Sequence, residues 1–313
     1  MKAVVIEQYG GKEQLVERDI EKPVPGKGQV LVEVKATSVN PIDWKVREGY
    51  LQSMMDWEFP IILGWDVAGF VKEVGEGVDE WKPGDEVFAR PQTTRFGTYA
   101  EFTVVDAHLL AQLPQHVSMT EAAAVPLAGL TAWQGMFDHA ALKEGEKILI
   151  HAGAGGVGHL AIQLAKAKGA YVITTCSAKN ASFVRELGAD EVIDYKTTDF
   201  SEVVNDVDVV FDTVGGEVMN KSFQVLKKGS GRLISITGQP DADEAKNAGI
   251  SASGFWLQPN GEQLKELGKF LENGTLRPLI AETFELSSEG VQKAHALSET
   301  GHARGKIIIA MQG

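Results

Sequence analysis

The rhythm of apolar and polar positions changes twice along the chain. In the first third, "KAVVIEQ", "QVLVEVKATSV", "AGFVKEVGEGV", "GDEVFAR" and "GTYAEFTVVDAHLLAQLP" are rich in β-branched residues and partly alternate. Gly and Pro punctuate them, which predicts short strands in an irregular, barrel-like antiparallel domain. Near Ser118 the spacing becomes helical, in "SMTEAAAVPLAGLTAWQGMFDHAAL". Ser118 followed by Glu121 is a capping-box start, and Pro126 interrupts the run. From Lys147 strands and helices alternate: "KILIHAG", "VGHLAIQLAKAKG", "YVITTC", "NASFVRELG", "DEVIDY", "VDVVFDTVGG", "EVMNKSFQVLKKG", "GRLISITG". That alternation predicts right-handed crossovers and a parallel sheet covered on both faces. A helix in "GEQLKELGKFLENG", a strand near "ETFEL", a helix in "SSEGVQKAHALSETG" and a last strand, "KIIIAM", follow. The last strand lies too far along to extend the parallel sheet simply and is placed to return to the first domain.

Composition narrows the class. The chain has 313 residues, 43% hydrophobic and 23% charged, as two ordinary globular domains would. A net charge of -13 argues against nucleic acid and anionic membrane as partners. The single cysteine, Cys176, allows no intrachain disulfide and no multi-cysteine metal site. "MKAVVIEQYG" carries no long apolar run, and no segment approaches the ~18 apolar residues of a membrane span. The expectation is a cytoplasmic protein.

The glycine-rich stretch "HAGAGGVGHLA" supplies Gly153, Gly155 and Gly158, with Ala154, Gly156 and Val157 between them. Here a G-x-G-x-x-G follows a strand and opens a helix, the context that turns a weak pattern into a dinucleotide-binding expectation. Gly153 permits the tight turn, Gly155 lets the backbone approach a pyrophosphate, and Gly158 lets helix and strand pack closely. A carboxylate roughly 20 residues on would favour NAD by bonding the ribose hydroxyls. The strand instead ends in "TTCSAKN", where Ser177 and Lys179 offer a hydroxyl and a cation. These suit the 2'-phosphate of NADPH; the alternative for Lys179 is a solvated surface lysine. Tyr195 adds a phenol to that phosphate, packs beside the adenine, or is an ordinary half-buried strand residue. Asp212, Val214, Thr237 and Gly238, at later strand ends, either line the nicotinamide side or serve their own loops.

The runs "VNPIDWKVREG", "LGWDVAGFVKEVGEGVDEWKPGDEVF", "AVPLAGLTAW", "AGAGGVG", "ELGADEVIDY" and "GHARGKIII" extend over essentially the whole chain. With them the sequence resembles the medium-chain dehydrogenase/reductase superfamily, and within it the NADPH-dependent quinone oxidoreductases (zeta-crystallin-like) and their enone and alkenal reductase relatives. The resemblance implies an α/β fold: a doubly wound parallel Rossmann sheet at 123–257, and an irregular GroES-like catalytic domain of β-barrel type at 1–122 and 258–313. It places Asn40, Trp65 and Ala128 where alcohol dehydrogenases keep two cysteines and a histidine on zinc, so no metal site is expected. Tetrahedral zinc needs about four N, S or O donors.

Without a Lewis acid, simple alcohol oxidation is disfavoured, whereas conjugated carbonyls and quinones already accept hydride. The implied function is an NADPH-dependent, zinc-independent oxidoreductase acting on quinones or α,β-unsaturated carbonyls. An enoyl-thioester reductase and a non-catalytic NADPH-binding sensor or structural protein are the alternatives. Asn40, Lys45 and Tyr50 are candidate donors to the developing oxyanion; turn stabilisation, a solvated helix position and a pocket wall are their respective bland readings. Thr131 is a candidate cofactor contact; Arg304 and Lys306 either reach the cofactor's phosphates or are surface charges. Trp65, Phe255 and Trp256 either wall a flat substrate slot or are ordinary core and interface packing, which is the better reading for each taken singly. Asp66 is expected to orient its neighbours. "GISASGFWL" reads as an edge strand of the kind that pairs superfamily homodimers.

Overall fold

The structure is a computed structural model describing residues 1–311, and it divides into two compact units. The first unit comprises Met1–Ala128, Pro259–Gly274 and the segment from Pro278 onward; the second comprises Gly129–Gln258 and Thr275–Arg277.

The spine of the first unit is the long strand Gln29–Val39, antiparallel to Val67–Val74, Phe102–Asp106 and Lys306–Ala310. Its sheet runs Ile280–Glu285, Lys306–Ala310, Gln29–Val39, Val67–Val74, Glu86–Ala89, Leu110–Gln112, with Phe102–Asp106 also on the spine. The alternating valines of the spine explain the pairing. Val30, Val32 and Val34 are buried with Val67, Val71, Val87 and Val105 in one cluster. Register slips at Leu31/Val32 and Val34/Ala36 bend the spine. The C-terminal strand pairs Ile307 with Val39, so the chain does return to the first unit. That register also brings Lys306 to the end of the spine, beside Asn40.

The second unit is a six-stranded parallel sheet. Its order is Glu191–Asp194, Tyr171–Cys176, Lys147–Ile150, Val209–Asp212, Arg232–Ser235, Ser251–Gly254. Chain order reverses direction at Lys147–Ile150, making the loop that follows it the topological switch point, where α/β sheets bind ligands. The α/β class and the pairing of a Rossmann-like sheet with a barrel-like first unit match the sequence expectation.

Boundaries agree where local signals are strong. The Ser118–Glu121 capping box starts Met119–Ala123, and a new helix begins at Pro126. Pro41 likewise opens the helix Pro41–Arg47, a helix-compatible first position for proline. Several elements were not read from sequence, among them the strand Val16–Asp19, the π-helical turn Gln134–His139, the helix Phe200–Val203 and the helix Ala242–Ala248, whose N-terminal N–H groups donate to Asp241. Among the described residues no helix is long and apolar enough to cross a membrane.

Candidate functional site

In the second unit the glycine turn leaves Lys147–Ile150 and enters the helix Gly158–Ala167. A Cβ on Gly153 would lie 2.0 Å from Thr174 Oγ1, and one on Gly158 would lie 2.3 Å from the Ala152 carbonyl oxygen. Both glycines are therefore demanded by packing. Gly155 is different. A Cβ there would meet one atom within 4 Å, the Ala152 oxygen at 3.2 Å. Gly155 thus leaves a bare backbone flank, which fits the cradle a pyrophosphate needs. Ala154 is buried, and Gly156 and Val157 are half-buried.

Beside this turn, Ser177 is nearly buried and Lys179 exposed, on the turn after Tyr171–Cys176. The N–H of exposed Tyr195 donates to the Cys176 oxygen, so its ring starts from the same edge. These three residues follow the ends of two neighbouring parallel strands, Tyr171–Cys176 and Glu191–Asp194. Val214 is 48% exposed, Thr237 and Gly238 are exposed, and Thr131 is buried in the same unit. Asp212 requires a correction. It is fully buried, and its oxygens accept from the Val214 and Gly215 N–H groups and from the Ser235 and Thr237 hydroxyls. Asp212 shapes the loops, and its carboxylate is already saturated. Phe255 is half-buried, and the Trp256 ring is exposed.

In the first unit, the segment where the spine meets the helix Pro41–Arg47 holds a buried polar network. Asp66, fully buried, accepts from the Leu127 N–H, the Ser38 hydroxyl and the Asn40 Nδ2 amide, the last at 2.7 Å. Lys306, 3% exposed, donates through Nζ to Asn40 Oδ1 and to the Val39 carbonyl, and lies 3.7 Å from Asp66. The Asn40 N–H donates to Asp43 Oδ2 at 2.8 Å, and the Tyr99 hydroxyl donates to the same oxygen at 2.7 Å. Asp43 Oδ1 is buried without a hydrogen-bond partner. Burial raises the Asp43 pKa from 3.8 to about 7, against the pull of its Asn40 and Tyr99 donors. Burial likewise lowers Lys306, opposed by Asp66 and Asp43, and brings Arg90 down to about 10. Behind Tyr99, His295 packs edge-on to the ring and faces Arg47, which also pairs with Glu48 and Glu299.

Three sequence expectations change here. Asn40 does not present a free amide, because Nδ2 is spent on Asp66 and Ser38 O, and Oδ1 on Lys306. Lys306 does not reach outward for a phosphate; its ammonium is buried in the network. Trp65 is a core residue, fully buried, with its indole N–H donating to the Thr94 carbonyl. By contrast Lys45, half-buried with its ammonium over the Trp44 ring, lies in the last turn of the helix, and Tyr50, 67% exposed, lies three residues beyond its end. Arg304 is exposed on the turn before Lys306. Asp66 orients its neighbours, as expected. Ser38, Tyr99, His295 and Arg47 were missed, since each is a solitary polar residue with no spacing signal.

The positions that carry zinc donors in alcohol dehydrogenases do not fit a zinc ion here. Trp65 and Ala128 offer no donor, and Asn40 Oδ1 already faces the positive charge of Lys306. Among the described residues no group of three or more His, Cys, Asp or Glu is arranged to hold a metal.

Taken together, the switch-point glycine turn and the barrel-like unit define a nicotinamide-dependent dehydrogenase/reductase of the medium-chain type. Residues 26–115 match the alcohol dehydrogenase GroES-like domain family, and residues 187–309 match the zinc-binding dehydrogenase family. The chain is 38% identical to a chloroplast envelope quinone oxidoreductase homolog of Arabidopsis thaliana, over 99% of this chain and 98% of that one. It is 37% identical to the chloroplastic NADPH-dependent alkenal/one oxidoreductase of the same plant, over 99% of this chain and 79% of that one. Among solved structures, the quinone oxidoreductase from Coxiella burnetii superposes with a TM-score of 0.92 at 39% identity, covering 100% of this chain and 99% of that one. The chain belongs to the medium-chain dehydrogenase/reductase superfamily, in its quinone oxidoreductase and alkenal/one oxidoreductase branch.

Proposed function

We propose that the protein is an NADPH-dependent, zinc-independent reductase of quinones or of the double bond of α,β-unsaturated carbonyls. The observation that carries this reading is a pairing of features. The second unit has a bare-backbone glycine turn at its switch point, and in the first unit Asn40, at one of the positions zinc donors hold in alcohol dehydrogenases, is tied to Lys306 and Asp66. When bound, the dihydronicotinamide supplies a hydride, which an activated double bond accepts without a metal.

The chain's own residues then bind, orient and stabilise charge. The glycine turn and the N-terminus of Gly158–Ala167 hold the pyrophosphate, with Thr131 among the cofactor contacts. Ser177, Lys179 and Tyr195 support NADPH over NADH, because a cation and hydroxyls match the 2'-phosphate and the segment Cys176–Asn180 that ends the strand carries no carboxylate. Val214, Thr237 and Gly238 flank the nicotinamide end. Lys45 and Tyr50 are the donors to the substrate oxygen as it gains negative charge, since their side chains are not tied into the buried network. Asn40 braces the segment that carries them. Phe255 and Trp256 supply flat apolar surface for a planar substrate, and Arg304 is a further cofactor contact. The functional domains in this reading are a catalytic domain at 1–122 and 258–313 and a dinucleotide-binding domain at 123–257. The same reading includes a homodimer paired through Ser251–Gly254, which ends the parallel sheet as an unpaired edge. It also includes a cytoplasmic residence, supported by a single buried cysteine that needs no oxidising compartment.

The test is NADPH oxidation with a panel of enones and quinones, with zinc measured on the same sample. The expected result is turnover of several enones or quinones, none of simple ketones, and less than one zinc per ten chains. Tight NADPH binding with no turnover across the panel would favour a sensor instead.

A further inference from the structure

The glycine turn contains a strained residue that its motif does not explain. Ala152, one residue before Gly153, has φ 51, a left-handed conformation that side chains disfavour. Its carbonyl oxygen is the hub of the turn: it accepts the Gly155 N–H at 2.9 Å and lies against Gly158. The position of Ala152 therefore sets the position of the turn.

A chain of side-chain hydrogen bonds fixes it there. The Ala152 N–H donates to Thr175 Oγ1 at 3.1 Å, and the Gly153 N–H donates to the Thr175 carbonyl at 2.9 Å. Thr175 Oγ1 lies 3.3 Å from His151 Nδ1, and His151 Nε2 lies 2.9 Å from Ser222 Oγ. The Ser222 hydroxyl donates its single proton to the Val218 carbonyl at 2.7 Å, so Ser222 Oγ must accept from His151. His151 therefore carries its proton on Nε2. Its Nδ1 accepts the Thr175 hydroxyl proton, which turns the Thr175 lone pairs toward the Ala152 N–H. One consistent assignment of donors runs from the glycine turn to the helix Gly216–Ser222. The chain is nearly dry: His151 and Ser222 are 1% and 0% exposed, Thr175 is 5% exposed, and the Phe200 ring stands edge-on to His151 at 4.6 Å. Burial lowers the His151 pKa to about 4, consistent with the neutral ring this assignment requires.

We infer that Thr175, His151 and Ser222 are positioning residues that lock the phosphate-binding turn in its binding shape before the dinucleotide arrives. The inference rests on reading the turn as the seat of a nicotinamide dinucleotide. Removing the lock frees Ala152 to leave its left-handed conformation, so the nucleotide must reorder the turn on binding. The reacting groups are untouched, so the effect falls on affinity.

The test measures NADPH dissociation constants by fluorescence titration of the full chain, with steady-state kinetics beside it. Thr175→Val, which keeps shape and removes the hydroxyl, is expected to weaken NADPH about tenfold, as a lost buried hydrogen bond does. The turnover number at saturating NADPH stays within about twofold, because bound turn and wild-type turn are alike. Thr175→Ser restores near-normal affinity, since it keeps the oxygen in place. Ser222→Ala, remote from the turn, weakens NADPH about threefold and serves as the test if Thr175→Val fails to fold. Equal affinity in Thr175→Val and the parent chain would overturn the lock, as would equal affinity in Ser222→Ala and the parent. So would Thr175→Ser binding as weakly as Thr175→Val. If the parent chain binds neither NADPH nor NADH, the lock and the proposed function fall together.

Discussion

Lys306 is a cation that the fold takes out of water, and its partners decide what that costs. Its ammonium is held by Asn40 Oδ1 and the Val39 carbonyl near a buried carboxylate, Asp66. Removing one member of such a pair strands the other charge, at about 3–5 kcal/mol. Lys306→Met is therefore expected to destabilise the chain by about that amount, measured by urea unfolding at pH 7. It also loosens Asn40, so turnover falls more than nucleotide affinity. Asp43 makes a different prediction. Its pKa rises from 3.8 to about 7 on folding, so the native state holds a proton that the unfolded chain has lost between those values. Stability contributed by this group is present below about pH 4 and is lost as pH rises through 7. Asp43→Asn removes the titration. Relative to the parent, the variant should gain stability between pH 5 and pH 8 in urea unfolding series. A difference constant with pH would show that Asp43 does not titrate in that window.

At the scale of elements, the glycine turn separates structural from functional glycines. Gly153→Ala drives a Cβ onto Thr174 Oγ1, whose hydroxyl is already committed to the Ile150 carbonyl. That variant should lower the thermal midpoint by several degrees, as an overpacked core position does. Gly155→Ala meets little and should leave the midpoint nearly unchanged while weakening NADPH at least tenfold, because the methyl stands where backbone must approach phosphate. Equal affinity in Gly155→Ala would remove the pyrophosphate from that flank. One strand away, Lys179→Ala tests the cofactor preference. Losing a charge-assisted contact to the 2'-phosphate should raise the KM for NADPH about tenfold and leave that for NADH unchanged. Equal changes in both would assign Lys179 to solvent.

For the whole molecule, the edge strand Ser251–Gly254 and the adjacent exposed Trp256 lead to a prediction about self-association. Sedimentation velocity is expected to show a single species of twice the chain mass. A monomer at micromolar concentration would dispose of the dimer.

The sequence by itself determined the elements whose signals are local. The strand–glycine–helix motif, the capping box at Ser118 and the alternation from Lys147 onward were legible because hydrogen bonds and side-chain periodicity within a few residues enforce them. The absence of zinc donors at Asn40, Trp65 and Ala128 was equally legible, because donor chemistry belongs to the residue. The tertiary structure decided the rest. Lys306, Asp66 and Asn40 meet across separations of 266 and 26 residues. Thr175, His151 and Ser222 meet across 24 and 71. No periodicity encodes such meetings. They follow from strand register, which sets Ile307 opposite Val39 and Thr174 beside Ile150. Burial then converts ordinary polar side chains into fixed ones, because an unpaired polar group without water is too costly to leave free.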